Sequence, residues 1–276
     1  MSIDVNNLSF AYKKGSCEAP VLDDITLTIH KGEFVGIVGE VGCGKSTLVK
    51  HFNGLLRPDS GAVGVDGMAA TDRRVKERIG MLFQHPSKQL FCRTVYEDIA
   101  FGPSNFGVSG TELEERVHNA CKQVGLDVRL LSSSPFDLSG GQMRLVALAG
   151  VLAFSPSYLV LDEPLSGLDA MSRRNLLGTL DKIRAKGMGV VVVSHDLDDI
   201  LTHVDRIILL KAGRVAFEGA PDQYLASIIT PVPAITQLMR HLRSCGLDVS
   251  DSVHSVDDAF DQISRALKNR RGHGNA

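Results

Sequence analysis

The stretch GEVGCGKSTL, residues 39–48, leaves a chain few ways to fold. It follows the apolar run FVGIV and leads into LVKHF, whose pattern is helical. Glycines at such a junction let the backbone curl until successive N–H groups point inward as an anion nest. The helix that starts there adds its dipole. Lys45 supplies a cation for outer phosphates and Ser46 a hydroxyl for Mg²⁺. A short apolar run ending in glycine is expected to be a strand buried on both faces, which only a layered α/β body provides.

The remaining elements agree with that body. Residues 3–12 and 21–30 alternate apolar and polar side chains, as half-buried antiparallel strands do. The loop between them, with Lys13, Gly15, Cys17 and Pro20, carries breakers. GAVGVDG (61–67), IGMLFQ (79–84), YLVLDEP (158–164) and GVVVVSH (189–195) are further strands. Ser87 to about Pro135 is mostly helical, with Leu113, Val117, Ala120 and Val124 at helical spacing. AMSRRNLLGTLDKIRAKG is a helix that stops at glycine, and RIILL, KAGR, VAFEG is an edge hairpin. Strands alternating with helices predict a mainly parallel sheet with ligand groups at the strands' carboxyl ends. Two amphipathic helices are expected at 234–245 and 255–268, ahead of the tail RRGHGNA.

Composition excludes several classes. The 276 residues carry a formal charge of −2, no basic excess for nonspecific nucleic-acid binding. Apolar residues make up 43%, enough for a substantial core. Five cysteines lie scattered without C-x-x-C spacing, as in a reduced chain rather than a disulfide framework or zinc site. MSIDVNNLSF shows no basic start followed by an apolar core, so no signal peptide is expected. The longest apolar run, 145–154, is far short of the ~20 residues of a membrane helix.

The chemistry gathers at three places. The P-loop residues Gly39, Glu40, Val41, Gly42, Cys43 and Gly44 offer backbone donors, and Lys45, Ser46 and Thr47 open the helix. LVLDEP delivers two acids beside that loop: Asp162 to hold Mg²⁺ and Glu163 to polarise the attacking water. LSGGQ (138–142) precedes a helix, so Ser139, Gly140, Gly141 and Gln142 form a second anion-seeking helix start. One nucleotide needs only one such loop from its own chain. The economical solution is a symmetric pair, each chain's SGGQ closing over the other's nucleotide.

Six motifs now stand in a family's order: GEVGCGKST, the glutamine of LFQHP, LSGGQ, LVLDEP, SGLD and VVVSHD. Over residues 3 to 225 the chain resembles the ATPases of ABC transporters. The resemblance implies that Tyr12 stacks on adenine and that Gln84 senses Mg²⁺ and the membrane partner. It implies that Asp169 couples the two sites and that His195 holds the γ-phosphate and the attacking water. QHPSKQLFCRTVYEDIAFGPSNFG (84–107) is closer still to the ATPase subunits of energy-coupling factor transporters, which import vitamins and transition-metal ions. There the short helix after the glutamine, here around Ser87–Phe91, meets a membrane scaffold. The chain departs from that pattern at Ser87, Lys88 and Leu145.

What the resemblance implies is an ATP- and Mg²⁺-dependent P-loop domain over residues 1–230. It comprises a mostly parallel sheet, an antiparallel β subdomain and a helical subdomain at about 87–153, followed by a helical extension at 231–276. The partners implied are a second ATPase subunit (another copy or a relative), a transmembrane scaffold and a substrate-binding membrane protein. The chain would sit peripherally on the cytoplasmic face of the cell membrane. A soluble ABC ATPase acting on DNA or ribosomes would carry a basic surface, a second cassette or a coiled-coil insertion before LSGGQ. A nucleotide-kinase-like enzyme would need an acceptor pocket and a lid arginine in place of LSGGQ.

Overall fold

The computed structural model describes residues 1–12, 20–227, 232–251, 253 and 255–272. The loop 13–19 with Cys17, the boundary at Pro231 and the end of the tail lie outside them.

Two strands that alternate in burial, β1 (Ser2–Phe10) and β2 (Leu22–His30), pair antiparallel. β3 (Phe34–Val38), buried throughout, runs into the glycine loop and α1 (Lys45–Phe52). β4 (Ser60–Val65) and the two-residue β5 (Met68–Ala69) complete a four-stranded sheet in the order β2-β1-β4-β5. β6 (Ile79–Leu82) returns the chain to the second sheet. There follow α2 (Val95–Asn105), α3 (Gly110–Val124), α4 (Gly140–Ala153), β7 (Tyr158–Asp162), α5 (Ala170–Ala185) and β8 (Gly189–Ser194). The hairpin of β9 (Arg206–Lys211) and β10 (Arg214–Gly219) closes the second sheet, ordered β10-β9-β3-β8-β7-β6. All its neighbours pair parallel except β9 with β10.

The central strands read as unbroken apolar runs because each serves two cores. Tyr158 and Val160 of β7, with Val191 and Val193 of β8, pack into the layer between the sheets, around Leu48 and Phe52 of α1. Leu159 and Leu161, with Val190 and Val192, pack on the opposite face against Val146 and Leu148 of α4 and Leu176 and Leu180 of α5. A polar residue at either parity would be buried without water, at a cost of roughly 1–3 kcal/mol.

α6 (Pro221–Ala226), α7 (Ala234–Ser244) and α8 (Val256–Gly272) end the chain. The last two share a separate small core of Met239, Leu247, Val249, Val253, Ala259 and Ala266. Polar links among the described residues tie this extension to the rest: Ala234 N–H donates to Asp198 Oδ1 at 3.1 Å, and Arg240 Nη2 to the Leu225 carbonyl at 2.6 Å. Among the described residues no helix is long and apolar enough to cross a membrane.

Three expectations shift. β1 stops at Phe10, two residues early, because Ala11 N–H turns to the Asp59 carboxylate at 2.9 Å instead of a strand partner. The helix expected around Ser87–Phe91 is one 3₁₀ turn, Pro86–Gln89. Gln89 ends it by folding back on β6, accepting from Phe83 N–H at 3.0 Å and donating to the Met81 carbonyl at 3.2 Å. The last helix runs to Gly272 rather than 268.

Candidate functional site

Four adjacent parallel strands, β6, β7, β8 and β3, end on one edge of the sheet, where a cavity of about 440 Å³ opens. Tyr12, Val41, Lys45, Ser46, Gln84, Glu163 and His195 line it, together with the loop glycines Gly42 and Gly44 and with Thr47. Four separate sequence motifs therefore meet in one place.

The loop curls because its glycines allow it. Gly39 has φ +150°, and a Cβ there would sit 2.3 Å from the Leu210 carbonyl oxygen. Gly44 has φ +105°, and a Cβ would lie 2.8 Å from the Val21 carbonyl oxygen. No side chain fits either position. Lys45, 6% exposed, folds its ammonium back on the loop and donates to the carbonyls of Gly39 at 2.7 Å and Glu40 at 3.0 Å. Val41 points out, 89% exposed, so the loop tolerates an apolar residue there because only its backbone faces the nest. Cys43 is half-buried against the core between the sheets, as a small filler under the loop.

The Ser46 hydroxyl donates to Asp162 Oδ1 at 3.0 Å. Asp162 is 5% exposed; burial pushes its carboxyl pKa up, while the Ser46 hydrogen bond, Lys50 and Lys45 pull it down. A buried carboxylate beside a hydroxyl offers hard oxygen donors that suit Mg²⁺, and two protein donors leave most of an octahedron to water and phosphate oxygens.

Glu163 sits at φ +52°, a left-handed backbone that costs a non-glycine residue roughly 1 kcal/mol or more. Its N–H donates to the Val193 carbonyl at 2.9 Å, and the turn swings its carboxylate off the strand into the cavity. His195 Nδ1 lies 2.8 Å from Glu163 Oε2, its N–H donating to the carboxylate. Tyr12 is 58% exposed at the cavity's rim, its hydroxyl 3.1 Å from that of Thr47 and its ring edge-on to Phe10.

The SGGQ segment stands apart: none of residues 139–142 lines this cavity. Ser139 caps α4, its hydroxyl accepting from Gln142 N–H at 3.3 Å while Gln142 Oε1 accepts from Ser139 N–H at 3.0 Å. That box leaves the hydroxyl proton and the first glycine N–H groups free to donate outward. A Cβ on Gly140 or Gly141 would meet nothing within 4 Å. Asp169 is also outside the cavity, capping α5 through Ser172 N–H and the Ser172 hydroxyl, both at 2.9 Å. Those hydrogen bonds hold its carboxyl below the usual range.

Three residues escaped the motif reading. Gln89 fixes the end of β6, and Arg144 and Arg173 grip main-chain carbonyls between Glu163 and Asp169. The only sequence signal for Arg144 was a cation one turn into a helix whose start attracts anions, an unfavourable place unless it has its own partner.

The sequence profile described as ABC transporter matches residues 22–166. A protein of Methanosarcina acetivorans bearing the name of an ABC transporter ATP-binding protein is 49% identical over 266 residues, 96% of this chain and 94% of its own. The energy-coupling factor transporter ATP-binding protein EcfA2 of Symbiobacterium thermophilum is 44% identical over 284 residues, with 99% of each chain covered. Among solved structures, CbiO1 from Clostridium perfringens, described as part of the ABC transporter complex CbiONQ, superimposes with TM-score 0.75 at 34% identity. That alignment covers 88% of this chain and 96% of CbiO1. The dimeric cassette MJ0796, bound to ADP and Pi in a post-hydrolysis state, gives TM-score 0.72 at 31% identity over 79% of this chain and 98% of its own.

Proposed function

The chain belongs to the ABC transporter family as an ATP-hydrolysing subunit of energy-coupling factor type, and from that premise we propose how its residues do the work. ATP binds with its phosphates in the Gly39–Thr47 loop and its adenine against Tyr12. The Lys45 ammonium exchanges the carbonyls of Gly39 and Glu40 for phosphate oxygens. Ser46 and Asp162 hold Mg²⁺, with Gln84 on the same wall; when bound, the ion neutralises phosphate charge. Glu163 takes a proton from water as the oxygen attacks the γ-phosphorus and the bond to the bridging oxygen breaks, leaving ADP and phosphate. His195 orients that carboxylate and faces the γ-phosphate.

The site is completed by a second ATPase subunit, whose Ser139, Gly140, Gly141 and Gln142 donate to the nucleotide from the far side, with Asp169 linking the two sites. The observation that carries this reading is the separation of the two anion-binding helix starts. One lines the cavity; the other has open space over both glycines, although a protein of its own shape has no use for glycine there. Closure of the pair drives a transmembrane scaffold on which the chain sits from the cytoplasmic face, and a membrane protein that captures a vitamin or transition-metal ion is the cargo-binding partner.

The test is Glu163→Gln. Turnover is expected to fall at least ~100-fold, the scale of losing a general base. ATP binding should persist, and light scattering should find paired ATPase subunits held together by ATP. A variant that stays unpaired in saturating ATP while the wild type turns over would overturn the reading.

A further inference from the structure

Between the carboxylate at Glu163 and the α5 cap at Asp169 runs a loop, Pro164–Leu168, anchored from below by the buried Leu165 and by Leu168 against the core. Two arginines hold its main-chain carbonyls as well. From α4, Arg144 Nη1 donates to the Pro164 carbonyl at 2.8 Å and Nη2 to the Ser166 carbonyl at 2.9 Å. From α5, Arg173 Nε donates to the Leu168 carbonyl at 3.0 Å. Arg173 Nη1 also donates to Asp199 Oδ2 at 2.5 Å and lies 3.8 Å from Asp196 Oδ2, on the turn that follows His195. His195 in turn holds Glu163.

The contacts therefore close a ring from the helix that begins at SGGQ, through the loop, to the turn after β8 and back to Glu163. The arginine fork suits it: two parallel donors fix both the position and the tilt of a loop whose own hydrogen bonds, Ser166 N–H to Glu163 O and Leu168 N–H to Leu165 O, are 3.3 and 3.2 Å long. Arg144 accepts a cost for this, since its Nε is buried without a partner and the guanidinium is desolvated. A leucine would avoid that cost and still fill the space.

We propose that Arg144 and Arg173 are positioning residues for hydrolysis: together they clamp the Pro164–Leu168 carbonyls, so that displacement of the SGGQ helix is delivered to Glu163 and Asp169. Neither arginine lines the nucleotide cavity, so neither binds ATP from its own chain. The proposal rests on the roles given to Glu163 and Asp169 above.

The experiment measures kcat, KM for ATP and Tm in full-length variants of the assembled ATPase. Arg144→Ala is expected to lower kcat by ~10- to 100-fold, the effect of small misplacement of a catalytic group, with KM within about twofold. Arg144→Lys, which keeps charge but loses the fork, should recover part of kcat, and it remains informative if the alanine variant folds poorly. Arg173→Ala should act on the same loop, so the double variant loses less than the product of the singles. Leu145→Ala, a packing change on the same helix, should lower Tm and leave kcat intact. The proposal is overturned if Arg144→Ala and Arg144→Lys keep wild-type kcat, or if Leu145→Ala loses as much kcat at equal Tm. Glu163→Gln separates the failures: normal arginine variants beside a dead Glu163→Gln remove the clamp alone, whereas an active Glu163→Gln removes the site reading beneath it.

Discussion

Burial sets opposite tasks for two side chains near the nucleotide loop. Asp162 is kept from water and raised in pKa by it, so its negative charge is costly until a cation arrives. Asp162→Asn keeps an oxygen for the Ser46 hydroxyl but removes the charge. Its turnover should drop ~100-fold and the Mg²⁺ concentration for half-maximal activity should rise, as a divalent-cation titration of ATP hydrolysis would show. His51 is 1% exposed at the far end of α1, with Nδ1 2.8 Å from the Thr47 carbonyl and its ring edge-on to Phe10. Burial, the largest influence, lowers its pKa below the ordinary 6.5. The unfolded chain then binds the proton more readily, so folding stability is retained above pH 6.5 and lost as pH falls below it. Tm measured between pH 7.5 and 5.5 should decline more steeply in the wild type than in His51→Gln. Equal slopes would show that His51 carries no such linkage.

At the scale of elements, the parts read from pattern were those whose side chains answer to a single period or a fixed loop. The alternation in β1 and β2 and the unbroken runs of β3, β7 and β8 follow from one or two buried faces, and both were legible. The glycine loop was legible because φ values near +150° and +105° leave no alternative residue. Gly39→Ala, forced against the Leu210 carbonyl, should cost ~1–3 kcal/mol and lower ATP affinity, read as a fall in Tm and in nucleotide binding. Less legible were contacts that depend on where a side chain reaches in space. Nothing in the sequence says that Gln89 returns to β6, that Arg144 spans from α4 to Pro164, or that β4 joins the antiparallel sheet rather than the parallel one.

Across the whole molecule, the chain divides into a two-sheet body with its helices and a C-terminal extension with a core of its own. The Asp198–Ala234 and Arg240–Leu225 hydrogen bonds link the two. A chain ended at Ser227 should keep the nucleotide cavity and bind ATP, because among the described residues no cavity residue comes from the extension; loss of binding by such a chain would place the extension inside the fold. The pairing of ATPase subunits is the claim on which function turns, and Gly141 tests it most directly. A Cβ there meets nothing within 4 Å in its own chain, and an acid at the second position of a helix suits the dipole, so Gly141→Asp should fold as well as the wild type. The measurement is the ATP turnover of this variant in its assembly, beside its ATP affinity. At least ~100-fold loss of turnover with unchanged affinity for ATP at the loop is the expected result, the scale on which charge at a phosphate site acts. Undiminished turnover would mean that each chain hydrolyses ATP by itself.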